Sequence, residues 1–236
     1  MTIDKELQLY LIHKYEEVRT ADRGLFFKKR KSKRIDPRLI DDVIDYFDEG
    51  HMQGYFIEKD GIKFLIVLGS NELVDWFYNF WFRLSETPYK SAGTRKEIKV
   101  HKGFYRSYLR IRELVLEGVK NDDKVFVYGQ SLGAAVGTIA ALDIQYNYPD
   151  KNIGLMTTGG PRVGNAEFRE SFSRRVPDSV RYVYGGDIVT IVPPKWTGYR
   201  HVVDETLLGP KRRIRLSIVD HMMPAYIAGL IEYLNK

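Results

Sequence analysis

The sequence contains no cysteine, which excludes disulfides, thiolate metal sites and a cysteine nucleophile. It has no apolar run near the roughly 20 residues that a membrane-crossing helix requires. Its opening, Met1-Thr2-Ile3-Asp4-Lys5-Glu6, has neither the basic nor the apolar segment of a cleaved leader. The expectation is therefore residence in the cytoplasm or release without a signal peptide. No Pro/Gly/Ser-rich linker and no internal repeat divides the chain. Its 236 residues, 44% of them hydrophobic, suffice for a single domain with one sizeable core. Neither zinc-finger spacing nor the aromatic–basic signature of an RNA-binding sheet is present, so no nucleic acid partner is expected.

Positive charge is plentiful and uneven, with a formal net charge of +6. Lys28, Lys29, Arg30, Lys31, Lys33 and Arg34 crowd one stretch, and Lys211, Arg212, Arg213 and Arg215 another. Such runs are usually solvated. They also provide for peripheral contact with an anionic lipid surface.

Apolar spacing predicts an amphipathic helix over residues 4–20, through Leu7, Leu11, Ile12, Tyr15 and Val18. Ile35-Asp36-Pro37 is expected to open a second helix running to Phe47, so residues 1–50 read as an N-terminal helical extension carrying the first basic run. Tyr55-Phe56-Ile57 and Ile62 to Leu68 flank Asp60-Gly61, the signal of a hairpin. Beyond residue 100 helices and apolar strands alternate. Helices are predicted around 104–118, 132–147 and 164–175, with strands at Val125 to Tyr128, Ile153 to Thr158 and Val180 to Tyr184. Strands near 199–208 and 213–219 precede a terminal helix from about Pro224. This alternation implies an α/β fold with a mostly parallel central sheet flanked by helices.

Gly129-Gln130-Ser131-Leu132-Gly133 fits G-x-S-x-G between four apolar β-formers and a small-residue helix. A sharp strand-to-helix turn of this kind holds a serine exposed at a sheet edge. The plainer reading is a glycine-rich turn with a helix-capping serine. A serine hydroxyl needs a base to become a nucleophile. In the chain order serine, acid, histidine, two histidines follow Ser131. His201 lies inside an alternating stretch, whereas His221 sits in a loop before a helix and is preferred. Asp187, just beyond the strand ending at Tyr184, is the favoured acid. It would fix the imidazole tautomer and stabilise the imidazolium. Asp178 reads as a turn residue, and Asp204 and Asp220 remain as substitutes.

From about Ile62 to the C-terminus the chain resembles the fungal-type class 3 lipase family. The resemblance rests on Leu68-Gly69-Ser70 with Asp75-Trp76, Val100-His101-Lys102-Gly103-Phe104 and Gly129 to Gly133. It continues through Thr158-Gly159-Gly160-Pro161-Arg162-Val163-Gly164-Asn165, Asp187-Ile188-Val189 with Pro193-Pro194, Gly198-Tyr199-Arg200-His201 and Asp220-His221. It implies an α/β-hydrolase-like fold, a Ser131–Asp187–His221 triad, and an oxyanion hole from Ser70 and the backbone N–H of Leu132. It also implies lipid or other fatty-acyl esters as substrates, with no metal or organic cofactor. Departures are Leu68 for a frequent arginine, Gln130 for the usual histidine, Thr190 for a common proline and Tyr184 for an asparagine.

Leu73, Trp76, Phe77, Phe80, Trp81 and Leu84 form one stripe at helical spacing. The stripe suits a buried core helix. The resemblance instead makes Trp76, Phe77, Phe80 and Trp81 part of a lid over the serine. The reaction expected is acyl transfer from an acylglycerol or similar lipid ester. A phospholipase, or a catalytically silent fold that binds lipid or a partner, is the alternative.

Overall fold

A computed structural model describes residues 3–23, 40–49, 52–69, 83–90, 97–211, 214 and 216–236. Seven strands form one sheet: β1 (Val43–Glu49), β2 (Met52–Lys59), β3 (Ile62–Leu68), β6 (Lys124–Gln130), β7 (Asn152–Thr158), β8 (Asp178–Tyr184) and β9 (Glu205–Leu208), paired in that order. The first three make an antiparallel meander, and from β3 onward each neighbour pairs in parallel. The sheet is thus mostly parallel, as the alternating pattern implies. Strands β4 (Leu84–Lys90) and β5 (Glu97–His101) form a separate antiparallel pair.

The period-two pattern of β3 and β6 sends side chains to two different cores. Leu65, Val67, Val125 and Val127 pack on one face against helices α2 (Lys102–Gly118), α3 (Leu132–Asn147) and α4 (Ala166–Arg175). Phe64, Ile66, Phe126 and Tyr128 pack on the other, against α1 (Lys5–Arg23) and α5 (Met223–Leu234). The predicted apolar face of α1 is the one buried: Leu7, Leu11, Ile12, Tyr15 and Val18. Full burial of an aliphatic side chain such as Leu11 is worth about 2 kcal/mol.

Helix α3, directly behind Ser131, is buried on nearly all sides. That burial takes the Asp143 carboxylate out of water, and polar neighbours compensate for it. It accepts from Tyr108 Oη at 2.5 Å, Arg112 Nε at 2.6 Å and Asn147 Nδ2 at 2.8 Å. The network ties α2 to α3, and so fixes the helix on which the serine turn depends.

Two predicted elements need correction. The second helix fails over its described part, because Val43–Glu49 is an edge strand whose Val43 and Phe47 face inward. Its clustered aspartates look like a helix start, but pairing with β2 decides the matter. The strand near 213–219 is not seen among its described residues. Ser217 makes an isolated bridge to Asp187, and a 3-10 turn follows at Val219–His221. The strand near 199–208 shortens to β9. In the aromatic stripe, Leu84 opens β4, while Trp76, Phe77, Phe80 and Trp81 lie outside the described residues, as do Lys28 to Arg34. No helix among the described residues is long and apolar enough to cross a membrane.

His101 shows how the fold depends on pH. Its Nδ1 accepts from the backbone N–H of Gly103 at 3.2 Å and Phe104 at 3.4 Å, capping α2. Burial pushes its pKa down from the ordinary 6.5 to about 4. The unfolded chain therefore takes up a proton here that the folded chain refuses. The stability gained is complete above 6.5 and is lost as pH falls from there through about 4. His101→Asn retains a capping acceptor and removes the titration. Urea midpoints measured from pH 7 to pH 4 should fall less in the variant, by up to about 3 kcal/mol of stability. Parallel decline in both proteins would count against the assignment.

Candidate active site

Ser131 stands alone between the end of β6 and the start of α3, with φ 59° and ψ −121°. A non-glycine residue rarely adopts a positive φ, and such strain persists only where surroundings impose it. Here strand and helix crowd together. A Cβ at Gly133 would lie 2.1 Å from the Val67 carbonyl oxygen of β3, so only glycine allows this approach. The Ser131 N–H donates to the Thr158 carbonyl at 3.1 Å, fixing the turn to the end of β7. Its side chain makes no capping bond to α3. The hydroxyl instead meets His221 Nε2 at 2.9 Å, so the capping alternative fails.

His221 closes the 3-10 turn before α5, as the sequence placed it, in a loop. Its Nδ1 lies 3.0 and 2.9 Å from the two carboxylate oxygens of Asp187. Asp187 follows β8 by three residues and is 0% exposed, while Ser131 and His221 are each 3% exposed. The acid is held on both oxygens. Oδ1 accepts from the Val189 N–H at 2.8 Å and Oδ2 from Tyr226 Oη at 2.6 Å. Burial, and then the Asp187 charge, raise the Tyr226 phenol well above its ordinary range, so it remains a donor.

The loop carrying His221 is laced to the one carrying Asp187. Ser217 N–H donates to the Gly186 carbonyl at 2.9 Å, and Ile188 N–H to the Ser217 carbonyl at 3.3 Å. Asp220 accepts from the Gly186 N–H at 2.7 Å, so its carboxylate serves the loop and not the imidazole. Asp178 begins β8, and Asp204 pairs with Arg169 at 3.1 Å. His201 is also elsewhere engaged. Its Nε2 donates to the Thr190 carbonyl at 2.7 Å, and burial followed by the Arg181 charge pushes its pKa down to about 3. Of the alternatives, only Ser131, His221 and Asp187 come together. Gly159, with φ +61°, lies against them: a Cβ there would be 2.8 Å from Asp187 Oδ2 and 3.0 Å from His221 Nδ1.

For the oxyanion donors, Leu132 begins α3, and its N–H belongs to the first turn, where no intrahelical acceptor exists. Gly69, at the end of β3, lies against Leu132 and Gly133. Ser70 lies outside the described residues. Among the described residues no group of three or more His, Asp or Glu is arranged to hold a metal ion.

Tyr226 was not singled out in the sequence. Its signal is its place on the inward side of the terminal helix, five residues after His221. Gln130 stood out only as a departure from a family pattern, although its amide contacts the His221 backbone at 2.9 Å.

The chain is similar to known proteins over much of its length. Residues 64–196 match the model of the family described as lipase (class 3). Over 110 residues the chain is 37% identical to secreted mono- and diacylglycerol lipase MDL2 of Malassezia globosa, covering 44% of this chain and 36% of that protein. It is 33% identical over 160 residues to a lipase of Rhizopus niveus, covering 63% of this chain and 39% of that one. The chain thus spans less than two fifths of the length of these curated relatives. Among solved structures, the Rhizomucor miehei lipase propeptide complex shares 27% identity at a TM-score of 0.68, covering 86% of this chain and 67% of that one. A triacylglycerol lipase whose catalytic centre is a serine protease triad shares 26% identity at a TM-score of 0.69, covering 87% and 80%.

Proposed function

Since this chain belongs to the class 3 lipase family, we propose that it is a serine hydrolase that cleaves the carboxylic esters of lipids. The observation carrying this reading is the unbroken line from the Ser131 hydroxyl through His221 to the buried Asp187. Ser131 Oγ attacks the ester carbonyl as His221 Nε2 takes its proton. The tetrahedral intermediate collapses to an acyl-enzyme, and His221 returns the proton to the departing alcohol. Water, deprotonated by the same nitrogen, then releases the acid. Asp187 keeps the imidazole proton on Nδ1, so that Nε2 can accept, and stabilises the imidazolium that forms. The N–H of Leu132 and Ser70 are the proposed donors to the oxyanion, each worth about 3–4 kcal/mol in the transition state.

Ser131 and His221 are both buried, and in this reading a cover over them opens to admit the ester. We assign that movement to the stretch bearing Trp76, Phe77, Phe80 and Trp81. The loop around His221 supports a lipid substrate. Ile214, Leu216, Ile218, Val219 and Met222 are all exposed, although aliphatic side chains of this size usually pack inward. Trp196, on the long connection after β8, is 86% exposed. Exposed aliphatic groups in the loop that carries the base, and an exposed indole on the connection between β8 and β9, suit a lipid–water interface. Lys211, Arg212, Arg213 and Arg215, interleaved with the apolar loop residues in sequence, make an anionic surface the proposed contact. They also make a phospholipid the second substrate reading. Of the two expected locations, release from the cell fits the secreted Malassezia relatives better.

Initial rates on esters graded by acyl length test the proposal. Turnover should appear with soluble short esters and rise out of proportion to concentration once longer esters form micelles. A protein inert toward the whole panel is not a hydrolase of this kind. A rate indifferent to micelle formation would remove the lid assignment.

A further inference from the structure

Gln130 occupies the last position of β6, immediately before Ser131, and is buried. Its Nε2 donates to the backbone carbonyl of His221 at 2.9 Å. A carbonyl only accepts, so this bond fixes which way the amide faces. Oε1 then points to the hydroxyl of Tyr15 on α1, which donates to it at 3.4 Å. Tyr15 is itself held in place. It is buried, and its ring meets that of Tyr128 edge-on at 5.3 Å.

The geometry has a consequence for the reacting atoms. Asp187 sets the rotation of the imidazole through Nδ1, but rotation alone does not set its distance from Ser131. That distance depends on where the backbone of residue 221 lies. The 3-10 turn at Val219–His221 is short; its first residue, Val219, and the flanking Ile218 and Met222 are exposed. The Gln130 amide joins the backbone of the residue bearing the base to the residue adjoining the nucleophile. Because both ends of this bond are buried, water offers little competition for it.

We propose that Gln130 is a positioning residue whose amide sets the separation of the His221 imidazole from the Ser131 hydroxyl, with Tyr15 of α1 holding that amide in its orientation. The inference rests on the hydrolase reading above. It gives α1 a part in the reaction that its packing alone does not require: the N-terminal helix steadies the base through one intermediate side chain.

Two variants test it. Gln130→Leu removes the donor, and kcat for a soluble ester should fall about 10- to 100-fold with KM little changed, the scale expected for misplacement by about 1 Å. Gln130→Glu keeps the shape, and its buried carboxyl donates only while protonated, which desolvation extends to higher pH than for an ordinary glutamate. The ratio of its kcat to that of the wild type should therefore start near one in mild acid and fall as pH rises. A simply structural role would give a ratio flat in pH and losses matching the unfolded fraction. That outcome overturns the inference. Wild-type turnover abolished by Ser131→Ala but untouched by Gln130→Leu sinks the tether alone, whereas a wild-type protein inert toward esters sinks both readings.

Discussion

Replacing Ser131 with alanine is expected to lower kcat for ester hydrolysis by about 10⁴-fold or more and leave the fold intact. The change removes one oxygen. Alanine keeps the Cβ and meets the same backbone restraints, and the lost hydroxyl capped nothing on α3. The oxygen's partner is His221 Nε2 at 2.9 Å, so its loss removes the group whose attack would start the reaction. Residual catalysis from the oxyanion donors and from substrate binding would persist above the rate in water. Kinetics on one soluble ester, paired with urea unfolding of both proteins, separate chemistry from stability. A fluorophosphonate should label the wild type at residue 131 and spare the variant. Unchanged ester turnover in Ser131→Ala would reject the nucleophile assignment outright.

Asp187→Asn should cost about 10⁴-fold in kcat, the scale seen when a triad acid loses its charge. The structure indicates why so small a change has so large an effect. Asp187 Oδ1 accepts from the Val189 N–H at 2.8 Å, and a backbone N–H cannot reverse its role. An asparagine must therefore keep its carbonyl oxygen there and turn its NH₂ toward Tyr226 and His221 Nδ1. Tyr226 can rotate its hydroxyl to accept. Nδ1 also lies 3.0 Å from Oδ1, but to accept from the NH₂ at the nearer position, 2.9 Å away, it gives up its proton, which moves to Nε2. A protonated Nε2 cannot take one from Ser131. The deficit should thus appear in kcat, with the ester KM nearly constant and the unfolding midpoint little altered. Wild-type kcat in the asparagine variant would show that the carboxylate is not needed to choose the tautomer.

Much of this arrangement was legible because local sequence and tertiary demand agree. The turn at Ser131 needs a strand, small residues and a helix within a few positions, and all are written contiguously. Asp187 and His221 were reachable from chain order and from their places beyond strand ends. Position in the fold told His221 from His201: the latter donates to the Thr190 carbonyl within the loops beside β8. What escaped notice depended on distant partners. Val43–Glu49 is a strand because β2 lies beside it, and nothing within residues 43–49 announces that neighbour. The stretch 213–219 alternates as a strand would, yet Ile214, Leu216 and Ile218 face solvent. Tyr226 and Gln130 act across the active site through single bonds, and no short motif records a bond between residues so far apart in the chain.

The backbone at Ser131 has a further implication for breeding sturdier forms of this protein. A residue held at φ 59° occupies ground that glycine reaches far more easily. Random variation screened for heat resistance alone would favour relaxing that position. The hardiest survivors would be those that had discarded their own chemistry, so any such campaign must reward turnover and endurance together.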